Sequence, residues 1–264
     1  MLSEDAVRAL EGLRSMPALF ILGALEGTLW LSELAEAREV GRGSDLAVVA
    51  LMRSDEGSFV DVACAAGCPR EAADAVASYV AQEGEAFVVS SRPEVVDEAV
   101  RRGGGLYLAS QTAFLTMAVD RQGFVEGPRR FPELTVTLLD EHDLEAAEGL
   151  LREWDESRAR RARDLVMRGN AFGAWACDRL VGIIGTYATT TRWWYLGSLF
   201  VHPEYRGRGI GTQLTSEATK EALERAGEAV ATVELDNVTS RGLLARLGYR
   251  ATSVDVVALV QSRA

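Results

Sequence analysis

The residues best suited to chemistry lie together, in the order Val201-His202-Pro203-Glu204-Tyr205-Arg206-Gly207-Arg208-Gly209-Ile210-Gly211-Thr212. An apolar run leads into a turn carrying three glycines, and the turn opens directly into a segment with helical spacing. Glycine lets backbone amides face outward without a side chain in the way. A helix N-terminus adds unpaired N–H donors and partial positive charge. Together they make a site for a phosphate or diphosphate, to which Arg206 and Arg208 can add charge-assisted contacts. The bend holds no Gly-Lys-Ser/Thr, so a nucleoside-triphosphate P-loop is not indicated.

Positioning such a bend requires a strand before it and a helix after it. Residues 195–201 read as the strand, and Pro203 marks its end. Ile210, Leu214, Ala218, Ala222 and Ala226 recur every four residues as the buried stripe of a helix that Gly227 closes. Around this core the spacing predicts a strand over 134–139, helices over 140–152 and 157–168 with a Gly169-Asn170 stop, and a hairpin of 171–176 with 180–186. A strand over 229–235, a helix over 240–247 stopped by Gly248, and a strand over 253–259 follow. The earlier part predicts a helix over 3–14 capped by Ser3, strands over 46–52 and 58–63, and a helix opened by Pro69. A strand over 86–90, a helix over 93–102 and strand material over 106–119 complete it. The alternation predicts an α/β chain of the α+β type, built on mixed sheets.

The part from Phe131 to the end resembles the GNAT superfamily of N-acetyltransferases. The strand-turn-helix of 199–212 is similar to that family's acyl-CoA diphosphate loop, Arg/Gln-x-x-Gly-x-Gly/Ala, and 237–249 is similar to its strand-end Asn, short helix and Leu-Gly-aromatic close at Leu247-Gly248-Tyr249. The resemblance implies acetyl-CoA as co-substrate and direct attack by an amine. It implies that main chain at Leu199, Phe200 and Val201 binds the pantetheine arm, with a Val201 amide at the thioester carbonyl. The amides of Arg206, Gly207, Arg208, Gly209, Ile210 and Gly211, with Thr212, would hold the diphosphate, and Asn237 the pantetheine or a water near the thioester.

Acyl transfer to an amine needs a neutral nucleophile, a polarised carbonyl and a proton for the leaving thiolate. The resemblance puts a Tyr proton donor seven residues after the Asn, where this chain has Leu244, and a Glu on the strand before the loop, where Tyr195 is the nearest titratable group. Glu234 and Asp236 share a face by strand alternation and could act through water. Tyr195, Glu234 and Asn237 are therefore the catalytic candidates. The competing expectation is an acyl-CoA-binding regulatory module without turnover, and a longer acyl chain is a further option.

Other features read as structural. His142 and the basic run Arg158, Arg160, Arg161 and Arg163 fit solvated surfaces, the run having an anionic acceptor as its functional alternative. His202 is a minor catalytic candidate. Trp193, Trp194 and Tyr195 either line an acceptor groove or pack in the sheet. Cys64 and Cys68 lack partners for zinc, and Cys177 reads as a small apolar filler. No metal is expected.

With 264 residues the chain is long enough for two compact domains. Gly123, Gly127, Pro128 and Pro132 beside Arg129 and Arg130 suggest a linker over 121–132, between a domain over 1–120 and one over 133–264. The first is expected to be a degenerate GNAT-like copy, because Cys64-Ala65-Ala66-Gly67-Cys68-Pro69 cannot present the same row of amides. Residues 17–26 resemble the opening helix of tandem acyltransferases. Lys and Arg number 28 against 39 Asp and Glu, a net charge of −11 that disfavours nucleic acid and anionic membranes and favours a cationic amine acceptor. Three cysteines make no disulfide framework, and no export signal or membrane span is readable, so the expected setting is cytoplasmic; a homodimer is left open.

Overall fold

The computed structural model describes every residue except Met1, Ala66, Pro69, Arg129, Arg130, Pro132, Gly169 and Ala264. The expectations resting on Pro69 as a helix opener, on Arg129, Arg130 and Pro132 as linker and on Gly169 as a stop lie outside the described residues. The elements run α1 (Glu4–Gly12), α2 (Met16–Leu25), β1 (Glu33–Val40), β2 (Ala47–Ser54), β3 (Gly57–Cys64), α3 (Arg70–Glu83), β4 (Glu85–Ser90), α4 (Pro93–Arg102) and β5 (Leu106–Asp120). They continue with β6 (Leu134–Leu138), α5 (Leu144–Arg152), α6 (Glu156–Arg160), α7 (Ala162–Arg168), β7 (Phe172–Ala176), β8 (Arg179–Thr189) and β9 (Trp194–Val201). Last come α8 (Ile210–Arg225), β10 (Glu228–Glu234), α9 (Val238–Arg246) and β11 (Arg250–Ser262).

Two compact units emerge, and they do not follow chain order. The first takes Met1–Met117, Thr232–Asn237 and Ala251–Ala264, the second Ala118–Ala231 and Val238–Arg250. The end of the chain, expected with the second half, thus belongs with the first unit, where β11 pairs antiparallel with β4 from Val256 opposite Ser90 to Gln261 opposite Glu85.

In the first unit the strands lie in the order β1-β2-β3-β4-β11-β5. β2 and β3 form a hairpin, and β3 runs parallel to β4 because α3 carries the chain back across the sheet. One face of the sheet and α3 enclose a core that includes Val49, Leu51, Val60, Val62, Val76, Tyr79, Val88 and Ala258. Ser3 caps α1 by accepting from the Ala6 N–H, as its position suggests. β1 had no reading in the sequence: its Glu33, Glu36, Arg38 and Glu39 face solvent on an edge strand, where charge discourages pairing with other chains.

In the second unit the order is β10-β9-β8-β7-β6. β6 to β9 are antiparallel neighbours, and α8 returns the chain so that β10 lies parallel to β9. The stretch beginning at Arg121, expected as a linker, is tied along this unit. Arg121 donates to the Leu223 and Glu224 carbonyls at the end of α8 (2.8 and 3.2 Å), Val125 N–H to the Leu247 carbonyl (3.1 Å) and Gly127 N–H to the Ser216 hydroxyl (3.0 Å). The single helix expected over 157–168 is broken into α6 and α7.

Candidate functional site

The site begins at a fault in the β8–β9 ladder. Thr186 pairs with Leu196 but Ala188 with Tyr195, which makes Tyr187 an extra residue on β8. Ile183 pairs with Phe200 but Gly185 with Gly197, which inserts an extra residue on β9. The β9 insertion falls at Ser198, a non-glycine residue at φ +55°, a conformation that costs about 1–2 kcal/mol and needs support from its surroundings. The parallel pairing of β9 with β10 covers only Trp194–Leu196. Past the bulge no described strand continues it, so one edge of Leu199–Val201 is left without a strand partner.

Strand alternation says which groups that edge presents. His202 N–H donates to the Val181 carbonyl (2.9 Å), so Phe200 also turns its main chain toward β8, while Leu199 and Val201 turn theirs to the open side. Leu199 and Val201 are half-buried. Phe200 is buried, its ring stacked on Trp154 with centroids 5.2 Å apart, and Arg158 lies over the other aromatic of that pair, 4.5 Å from the Trp154 centroid.

Beyond β9 the chain makes a short 3-10 turn, 203–205, opened by Pro203 and capped by His202, whose Nδ1 accepts from the Glu204 N–H (3.3 Å). Gly207 at φ +76° and Gly209 at φ +86° then reverse the backbone in the left-handed region that glycine alone enters cheaply. Gly209 is the N-cap of α8. The first bond into the helix runs from Gln213 N–H to the Gly209 carbonyl (3.0 Å), which leaves the amides of Ile210, Gly211 and Thr212 with no intrahelical acceptor. The first turn of α8 carries no acidic side chain to neutralise its positive end. Arg206 and Arg208 are exposed here but folded back: Arg206 Nε donates to the Val201 carbonyl (3.0 Å) and Arg208 to the Glu204 carbonyl (3.2 Å). Their first role is to brace the bend.

α8 is fixed from within. The Thr215 hydroxyl donates to the Gly211 carbonyl (2.8 Å) and the Thr219 hydroxyl to the Thr215 carbonyl (2.6 Å). Because Thr219 has given its proton, the Tyr249 phenol is the donor in the 2.7 Å contact between their oxygens. Burial pushes the Tyr249 phenol far above its usual range, and it is a core group, as its place in the motif suggests. Gly182 lets the helix seat: a Cβ there would lie 2.8 Å from Leu214 Cδ1.

The remaining candidates are distributed as follows. Tyr195 is 1% exposed and packed edge-on against Tyr187, with ring centroids 5.3 Å apart. Trp193 and Trp194 are buried, which identifies them as packing residues. Glu234, Asp236 and Asn237 are exposed at the end of β10 and count with the first unit. Leu244 is buried on α9. His202 is buried in an ionic cluster, with Nε2 3.2 Å from Glu153 Oε2 and 2.8 Å from an Arg179 nitrogen. His142 is exposed, and its N–H is held by Asp140 in a capping box. Cys177 is exposed at φ +54° in the β7–β8 turn, which corrects its reading as an apolar filler. Among the described residues no group of three metal-ligating side chains occurs. Tyr187 went unread, although Gly197-Ser198 inside a strand pattern was the available signal of a bulge.

The matching turn of the first unit, between β3 and α3, is built differently. Cys64 and Cys68 are joined as a disulfide, a pairing that the reading of three cysteines as making no disulfide framework did not foresee. Ala65 N–H donates to the Leu46 carbonyl (2.9 Å) and Gly67 N–H to the Ser44 carbonyl (2.8 Å), so these amides are turned into the protein.

Residues 135–249 match the acetyltransferase (GNAT) family model. No curated protein sequence matches the chain. Among solved structures, a Drosophila protein aligns at TM-score 0.71 and 19% identity, over 99% of this chain and 97% of its own. A tandem GNAT protein from the clavulanic acid biosynthesis pathway aligns at TM-score 0.61 and 18% identity, over 97% of this chain and 92% of its own. A GCN5-related N-acetyltransferase from Kribbella flavida aligns at TM-score 0.58 and 17% identity, over 98% and 96%. The mixed α/β fold is therefore that of GNAT proteins, tandem ones included.

Proposed function

With residues 135–249 matching the GNAT acetyltransferases, we propose that the protein is an N-acetyltransferase moving an acetyl group from acetyl-CoA to a primary amine of a small molecule or peptide by direct attack. The observation that carries the reading is the succession of an open β9 edge, a bend of left-handed glycines and the acceptorless first-turn amides of α8; the Arg206 N–H, expected at the diphosphate, is instead paired with the Pro203 carbonyl (3.2 Å). The donor set fits acetyl-CoA. Amides at Ile210, Gly211 and Thr212, with the glycine-freed backbone at Gly207 and Gly209, suit a diphosphate, and Leu199 and Val201 suit the amide groups of a pantetheine arm. Acetyl-CoA supplies an acyl group activated as a thioester. An amide directed at its carbonyl oxygen, which we assign to Val201, favours the charge that develops there. Glu234 is the proposed base, acting through water, and Asn237 a contact of the pantetheine. The acidic net charge supports a cationic acceptor.

A binding module without turnover is the second reading, favoured by one observation: Leu244, 6% exposed, stands where the resemblance expects a phenol. Release of free thiol from acetyl-CoA with a panel of primary amines separates the two. Amine-dependent release is expected; tight binding of acetyl-CoA with no release under any amine would identify the module. The first unit is proposed to be a silent copy, supported by the inward amides of Ala65 and Gly67.

A further inference from the structure

The two bulges in the β8–β9 ladder have a consequence for the open edge. Tyr187 is the residue inserted on β8, and the β9 insertion falls at Ser198, on the neighbouring strand. They meet: Ser198 N–H lies 3.2 Å from the Tyr187 hydroxyl and Ser198 Oγ 3.3 Å from it. A bulge commonly re-aims a side chain, and here each bulge holds the other. The Tyr187 ring reaches Ser198 by lying over Gly197, where a Cβ would fall 2.2 Å from its Cε2. Tyr195 braces the ring from the side at 83° between planes. Glycine at 197 is thus the floor of the tyrosine's seat.

We propose that Tyr187 is a positioning residue for acetyl transfer, holding Ser198 in its left-handed conformation and so setting the direction of the Leu199 and Val201 main chain. The inference rests on the acetyl-CoA reading of that edge. By accepting the Ser198 N–H, the phenol satisfies the one amide that the bulge removes from the ladder. Without it the left-handed residue loses its anchor, and the strand can relax toward regular pairing with β8, which would rotate the Leu199 and Val201 amides off the open side. The diphosphate grip at the start of α8 lies on a separate element and does not depend on the bulge. Loss of the hydroxyl should therefore impair turnover more than binding.

The test is Tyr187→Phe, which keeps the ring over Gly197 and removes only the hydroxyl, alongside Gly197→Ala, which should displace the ring. Two readouts are needed. Amide hydrogen exchange at Ser198 should accelerate about tenfold in Tyr187→Phe as that N–H loses its acceptor, while exchange at Leu199 and Val201 should slow as they turn toward β8, with the rest of β8 and β9 unchanged. With an amine that the wild type acetylates, kcat should fall about 10- to 100-fold while KM for acetyl-CoA rises by a clearly smaller factor. Gly197→Ala should reproduce the same split. Unchanged exchange at those three amides would overturn the proposal whether or not the wild type is active. So would unchanged kcat, or a rise in KM alone, in an active wild type. A wild type inactive with every amine would count against the transferase reading instead, and the exchange result would still decide the role of Tyr187.

Discussion

Asp61 sits in β3 opposite Ala50 and Val89, 1% exposed, with neither carboxylate oxygen hydrogen-bonded among the described residues. Burial pushes its carboxyl well above the usual carboxylate range, so the folded state holds it as the neutral acid. The sign follows: below the unfolded pKa, about 3.9, both states are protonated and nothing is lost. As pH rises past that point the unfolded chain ionises while the folded one does not, and stability falls. Asp61→Asn removes that dependence. The variant should gain on the wild type progressively as pH rises above about 4, measured by urea unfolding at a series of pH values. A constant difference across the series would show that Asp61 ionises alike in both states. Function at the residue scale is equally a matter of burial. The family resemblance picks out Tyr195 and Leu244 as site positions, yet both are packed away, while Tyr187, unremarkable in the sequence, reaches the bulge.

At the scale of elements, the parts that could be read are those whose signals are local. The strand, glycine bend and helix of 194–225 follow from apolar spacing, Pro203 and the left-handed glycines. β1 could not be read because its residues are charged on an edge, where burial imposes no pattern. The break between α6 and α7 falls at Arg161, inside a run with helical spacing. The paired bulges were hidden because register belongs to two strands at once. Asp255 shows the same non-locality. On β11 it accepts from the Met16 N–H at the start of α2 (3.1 Å) and from the Ser253 hydroxyl (2.7 Å), and also from the Thr116 hydroxyl on β5. It supplies the cap that the Ser15 side chain does not. Asp255→Ala would leave two buried donors, Met16 N–H and the Thr116 hydroxyl, and the half-buried Ser253 hydroxyl without their acceptor and should cost about 3 kcal/mol, lowering the denaturant midpoint without changing the slope. A loss under about 0.5 kcal/mol would mean that the donors find other acceptors.

For the whole molecule, chain order and spatial grouping differ. A boundary drawn at a Gly- and Pro-rich stretch is sound where chain and unit coincide. Here β11 completes the sheet of the first unit, and residues 118–128 are counted with the second. No sequence signal at 251–264 marks that exchange, since a strand's neighbours are chosen by long-range pairing. The likeness of two β-α-β turns was legible, and so was the difference between them. One presents a bend of left-handed glycines ahead of α8, and the other closes with Cys64–Cys68 and inward-facing amides. In the described residues no helix is long and apolar enough to cross a membrane.

The bend before α8 carries the acetyl-CoA reading, and calorimetric titration of acetyl-CoA into wild type and Gly209→Val tests it. Gly209 holds φ +86°, which a β-branched residue resists by about 1–2 kcal/mol or more. The wild type should bind one acetyl-CoA per chain, and Gly209→Val should weaken binding at least about tenfold while remaining folded by circular dichroism. Two equivalent sites per chain, or undiminished affinity in the folded variant, would contradict it.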